Sequence, residues 1–376
     1  MILTRDLGIL FIFQKLITIP NYGLSKKCHP CIRKLIIGLR CLPFACSTII
    51  VLYQCFSYIG EKRVGFPEVS DVAFILSEFD FIFMQAIMGL IAIYAITHNK
   101  THIRFLNLIE IYEKNYSAFR IPPRKFMKLW NSAKFLAIVL HMIFLNTLNL
   151  AVEENYYRED TLFSYFFYNL SIAIVDIEGI YVASLARLIG DFFDRARIDR
   201  TNKQTSVKVL FPRDSMEFLN TFNDAFGIIL FFSFIAEFIC WCLSCFFIIW
   251  RLSSGDLVEH NDCLIVECTT WILRSVFIIT HIGLACDHFS TTIFDYKATL
   301  NHLSTYQSEE NENKINKFVV NQFQLKKLHQ TLLGLNVSIF RSINVNSSTL
   351  FKIFTSVVSH IVILMQFKDM EEQRSQ

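Results

Sequence analysis

Apolar side chains in this chain gather into long runs separated by polar, charged stretches. A bilayer core about 30 Å thick needs roughly 20 mainly apolar helical residues. Six runs meet that need: Cys41–Ile59, Phe81–Thr97 (extended outward past Glu78 and Asp80), Phe135–Val152, Leu162–Ile189, Ala225–Trp250 and Leu264–Cys286. A seventh, Ile353–Phe367, is shorter and must borrow Leu350 to Lys352, with the lysine stem snorkelling toward water. The pattern predicts an all-α integral membrane protein with seven transmembrane helices. The apolar stretch Leu7–Ile19, broken by Gln14 and Lys15, reads as a retained interfacial or protein-packed helix.

Charge orients the runs. Counting Arg187 with the loop that follows it, 28 Lys and Arg fall in the N-terminal segment and the connections after runs two, four and six, against 6 in the other connections and the C-terminal tail. Cytoplasmic segments are the Lys/Arg-rich ones. The N-terminus is therefore expected in the cytoplasm and the C-terminus outside, the inverse of a G-protein-coupled receptor. The N-x-S/T sequons at Asn99, Asn115, Asn336 and Asn346 then lie inside the cell, and Asn169 lies within a span. The organisation expected is a cytoplasmic segment over 1–40, helices one to six over 41–286, a cytoplasmic loop and anchor helix over 287–349, a last transmembrane helix over 350–367 and an extracellular tail over 368–376.

Composition strengthens this reading and removes others. Hydrophobic residues make up 53% of the chain, Phe alone occurs 38 times, and Gly and Pro are scarce. No Lys/Arg tract is interleaved with aromatics, so a nucleic-acid surface is not indicated. Phosphate-loop, nucleophile-elbow and zinc-protease motifs are absent, so the chain does not read as an enzyme. The cysteines, 11 in number, show no regular framework, and Cys28-His29-Pro30-Cys31 lacks a second ligand pair. No metal or cofactor is expected.

The connections on the cytoplasmic side are long. Lys314–Leu335 carries Phe318, Phe323, Leu325, Leu328 and Leu332 near helical spacing and predicts a helix packed on inner extensions of runs four to six. Ser304–Asn313 is polar, without hydrophobic period, and predicts a flexible loop.

Ionisable residues at membrane depth are costly and mark function by default. Glu237 and Arg274 each lie about 18–20 Å from the outer ends of two consecutive antiparallel helices, and are expected to pair or to share a network with Asp176 or Glu178. Asn146 and Asn149, with Trp241 and Trp271, are candidates either for lining an outward cavity or for helix packing.

The last run reads Leu350-Phe-Lys-Ile-Phe-Thr355-Ser356-Val-Val-Ser359-His360-Ile-Val362-Ile363-Leu-Met365-Gln366-Phe367. Thr355, Ser356, Ser359, Val362 or Ile363, and Gln366 share one helical face, a polar stripe suited to a water-filled axis between subunits. Here the chain resembles the insect gustatory receptor family, whose last span ends in Thr-Tyr, five hydrophobic residues and Gln-Phe. This chain has Ser359-His360, Ile361 to Met365, and Gln366-Phe367. The resemblance implies a taste receptor acting as a ligand-gated, non-selective cation channel of four subunits, homomeric or mixed with other gustatory receptors, in the plasma membrane of sensory neurons. It implies an outer gate at Gln366 and Phe367, a pore lining of Ser359 with Val362 or Ile363, and a small-molecule tastant among the earlier spans. The pocket candidates are Asn146, Asn149, Glu237, Trp241, Trp271 and Arg274. A metabotropic seven-helix receptor, or a transporter working through Asp176, Glu178, Glu237 and Arg274, remain the alternative readings.

Overall fold

The computed structural model describes residues 7–17, 71–115, 126–153, 159–202, 212–253, 261–308, 337–339 and 343–375, with the isolated positions 31, 35, 49 and 53. The expected first span, Cys41–Ile59, apart from Ile49 and Tyr53, and the expected anchor helix, Lys314–Leu335, lie outside the described residues.

Eight helices are described: α1 (Ile9–Ile17), α2 (Asp71–Thr97), α3 (Asn99–Asn115), α4 (Phe126–Glu153), α5 (Glu159–Asn202), α6 (Pro212–Ser253), α7 (Asn261–Ser308) and α8 (Ser347–Ser375). A two-residue antiparallel ladder, β1 (Ser338–Ile339) with β2 (Ile343–Asn344), pairs Ser338 with Asn344 and Ile339 with Ile343. Four helices carry a window long and apolar enough to cross a membrane: Leu129–Thr147, Met216–Trp250, Ile265–Tyr296 and Ser348–Gln366. Apart from that short ladder the described residues are almost entirely helical, with several helices of membrane-spanning length and composition. The expected second span, Phe81–Thr97, lies within α2, and α5 carries Asp176, Glu178 and Arg187 within its expected span.

The packing places two of those charges, Asp176 and Glu178, inside protein, while Arg187 is exposed. From Ser171 to Phe193 nearly every described side chain of α5 is buried, with Ile180, Tyr181, Val182, Ala183 and Leu185 fully so. A helix surrounded by protein does not need an apolar surface on every side. By contrast α4 turns Leu129, Leu136, Leu140, Ile143 and Phe144 outward, as a lipid-facing helix does.

Helices α5, α6 and α7 run 44, 42 and 48 residues, roughly 60–70 Å each and about twice the hydrocarbon thickness. Their shared end is aromatic. Phe105 of α3 meets Phe218, Phe222 and Phe226 of α6 edge-on, and Phe193 of α5 packs on Phe218 and on Tyr296 of α7. α1 adds Leu10 and Phe11 to the same core, Leu7 of the turn before it joins them, and Phe13 meets Phe135 of α4.

One sequence expectation is corrected. The polar stretch from Ser304 is not a loop from its start, because α7 continues through Ser308. The tail after Phe367 is helical to Ser375. Propagating an existing helix fixes one residue per bond gained, and neither stretch contains Gly or Pro to stop it. The helix of the third run also starts earlier, at Phe126, so Lys134 sits inside it.

Close approaches set two of the helix contacts. A Cβ on Gly190 of α5 would stand 2.7 Å from His288 Cδ2 and 3.3 Å from the backbone of Phe289 on α7. One on Gly283 of α7 would stand 2.7 Å from Leu350 of α8.

Candidate functional site

Nearer one end of the long helices than their middle, α5, α6 and α7 bring ionisable groups together. Arg274 of α7 donates from Nε and Nη2 to the two oxygens of Asp176 on α5, at 2.7 and 2.9 Å. The same Nη2 donates to Glu237 Oε1 of α6 at 2.6 Å. Nη1 approaches Cys240 Sγ at 3.6 Å, and the guanidinium lies 4.8 Å from the Trp271 ring centre. All three charged side chains are buried. The planar fork of arginine matches a carboxylate edge to edge and keeps donors for a second acceptor. The set ties α5, α6 and α7 together at one level.

Glu178 is as deeply buried, yet Arg274 is held by Asp176 and Glu237. Two residues along a helix rotate the side chain by about 200°, so Asp176 and Glu178 leave α5 on opposite sides.

The expected pocket residues separate into two groups. Trp271 joins the charged set and meets His141 and Tyr168 edge-on. Asn146 accepts from Asn169 Nδ2 at 3.1 Å and donates to the Met142 carbonyl. Around them Tyr168 donates to Asp80, and Ser171 donates to Gln85 at 3.0 Å. Trp241 is elsewhere: it packs on Phe354 of α8, 5.7 Å between ring centres. The side chain of Asn149 lies outside the described residues.

A second polar cluster was missed by the sequence reading. Lys134 Nζ of α4 donates to His281 Nε2 of α7 at 2.9 Å and to Asn131 Oδ1 at 3.3 Å, and Ser184 of α5 donates to the same Asn131 oxygen. Starting the third run at Phe135 left Lys134 at its edge. The signal available was Asn131, Lys134, Ile138 and Leu145, which follow helical spacing and are all buried.

The last helix presents two unlike faces. One edge packs on α6: Phe354 on Trp241, His360 on Phe238, and Leu364 and Met365 beside Phe246 and Trp250. Val357 is buried on that edge. The opposite face is bare. Only 6% of Ser348–Gln366 is buried, against 61% of the Met216–Trp250 window. Phe351, Lys352, Thr355, Val358, Ser359, Val362, Ile363 and Gln366 are exposed. Phe367 continues the helix; its side chain lies outside the described residues. The hydroxyls of the stripe are satisfied within the helix. Thr355 Oγ1 donates to the Phe351 carbonyl at 2.9 Å and Ser359 Oγ to the Thr355 carbonyl at 3.1 Å. Ser356 is half-buried, and its carbonyl accepts from His360 Nδ1 at 2.8 Å, so it stands at the edge of the bare face.

The base of α8 is anchored. Asn346 Oδ1 accepts from the Thr349 amide at 3.0 Å, an N-cap. Val337, just before β1, is fully buried, and its amide donates to Ser290 Oγ of α7 at 2.9 Å.

Residues 216–371 match a family model described as 7tm chemosensory receptor. Over 126 residues the chain is 29% identical to Gustatory receptor 68a of Drosophila melanogaster, covering 33% of this chain and 30% of that protein. Over 133 residues it is 26% identical to Gustatory and pheromone receptor 32a of the same organism, covering 35% of this chain and 26% of that one. The chain thus covers less than a third of the length of either relative.

Proposed function

We propose that this chain, whose residues 216–371 match a chemosensory receptor family model and which is similar over about a third of its length to two gustatory receptors, is a chemoreceptor of the insect gustatory receptor family and one subunit of a ligand-gated cation channel whose pore is lined by α8. The observation that carries the reading is the bare face of α8. A helix that packs one edge on its own subunit and leaves Thr355, Ser359, Val362, Ile363 and Gln366 uncovered suits a position between copies around a central axis. The hydroxyls of Thr355 and Ser359 are bonded to their own helix carbonyls. The amide of Gln366 next to Phe367, near the outer end, is the stronger feature. Four copies would bring four amides into one ring, a constriction of the kind that gates by polarity and dewetting.

In the proposed assembly of four, the tastant binds toward the outer end of the bundle, beside Trp271, Asn146 and the Arg274–Asp176–Glu237 set. Ligand binding there would shift α6 and α7, and α6 carries α8 through the Phe354–Trp241 and His360–Phe238 contacts. The test is current recording from cells expressing the chain while G-protein signalling is blocked. Ligand-evoked current that persists is the expected result; current that disappears under the block refutes the channel. Gln366→Ala is expected to alter unitary conductance or open probability, and unchanged conduction and gating would remove Gln366 from the gate.

A further inference from the structure

Where α2 gives way to α3, at His98, the chain forms a groove of about 780 Å³ against α6. Its walls carry Lys100 and Arg104 from α3 and Asn223, Asp224 and Gly227 from α6. Tyr94 closes one end, its hydroxyl donating to the Asp224 carbonyl at 2.8 Å and its ring stacked on His98 with centres 4.1 Å apart. We propose that this groove seats the phosphate headgroup of a phosphoinositide-type lipid, drawn from the cytoplasmic leaflet.

Four features support the assignment. Lys100 and Arg104 are four residues apart on one helix and point to one side. Both side chains are exposed, and Arg104 uses a single nitrogen, Nη2, for Glu217 at 3.3 Å, leaving further N–H donors. Asp224 is the one carboxylate among the lining residues, so Lys100 and Arg104 leave the groove a net positive charge. Gly227 sits on the same face of α6 as Asn223 and Asp224, and its missing side chain gives the floor its depth.

Position supplies the last feature. The groove lies at the end of α2's apolar stretch, beside Tyr94, an amphipathic ring of the type that gathers at membrane boundaries. The connection between the second and third apolar runs holds eight Lys and Arg, and such juxtamembrane clusters attract anionic lipids of the inner leaflet. A lipid held there would bridge α3 to α6 on the cytoplasmic side. The inference rests on the orientation read from charge and is independent of the channel reading, because its readout is binding rather than current.

The experiment is polarisation of a fluorescent short-chain phosphatidylinositol bisphosphate titrated with the full chain in phosphatidylcholine bicelles. Saturable binding is expected, weakened about fivefold by Lys100→Gln and again by Arg104→Gln, which is the size of one juxtamembrane cation's contribution. Gly227→Leu is expected to block the groove; should that variant misfold, the two exposed α3 substitutions still decide the matter. Unlabelled inositol bisphosphate without acyl chains is expected to compete at least tenfold more weakly than the lipid, since it lacks the bilayer's contribution. A double Lys100→Gln, Arg104→Gln variant that binds as tightly as the unaltered chain overturns the site. Competition by the free headgroup at the lipid's own strength overturns the lipid as its occupant.

Discussion

Arg274 concentrates the energetics of the bundle on one side chain. It is the cation to which both Asp176 and Glu237 bond, all three side chains being buried. Removing one partner of a buried ionic set leaves uncompensated charge and costs about 3–5 kcal/mol. Arg274→Met is therefore expected to lower thermal stability sharply in detergent and to reduce surface expression. Arg274→Lys, which keeps the charge but loses the fork to Asp176, should fall between. Combining Arg274→Met with Asp176→Asn and Glu237→Gln should recover most of the loss, because no charge is then stranded. Full stability of Arg274→Met alone would show that the set contributes nothing. Counting residues from the helix ends was enough to bring Glu237 and Arg274 to one depth. It did not decide between Asp176 and Glu178, nor send Trp241 toward α8, because those outcomes depend on how each helix is rotated.

At the scale of elements, α8 is held along a narrow edge and by its base. Its bare face makes a periodic prediction for thiol-reagent labelling of single cysteine substitutions. Positions 355, 359, 362 and 366 should react from the aqueous side, while 357 and 364, on the α6 edge, should be protected. Uniform reactivity along the helix would contradict a pore-facing stripe. Gly283 offers a second test. Because a Cβ there would stand 2.7 Å from the Leu350 side chain, Gly283→Val is expected to displace Leu350 and strain the α7–α8 contact, an overpacking cost of about 1–3 kcal/mol. A lowered melting temperature together with an altered agonist concentration for half-maximal current is the expected pair of changes. A melting change without a gating change would mean that the α7–α8 contact does not belong to the gate. Helix existence in this region was legible from hydrophobic runs. Helix length was not: α7 and α8 both continue through polar sequence that lacks a hydrophobic signal.

For the whole molecule, orientation and assembly are the open quantities that experiment can read directly. A reporter fused after Gln376 is expected outside the cell and one before Met1 inside, with an assembly of four on native mass spectrometry in detergent. Both reporters on the same side would mean a span had been miscounted. The amino-acid sequence by itself determined that the chain is helical, apolar enough to cross a bilayer several times, and biased in charge toward one side. Those properties are one-dimensional, since run length measures against bilayer thickness and Lys/Arg counts against a leaflet. Only the tertiary structure decided that α5 is the buried centre, that Arg274 takes Asp176 and Glu237, that Lys134 meets His281, and that one face of α8 is left uncovered. Each depends on helix rotation and crossing, which are set by packing between residues far apart in the chain, as where Gly190 admits His288 and Gly283 admits Leu350.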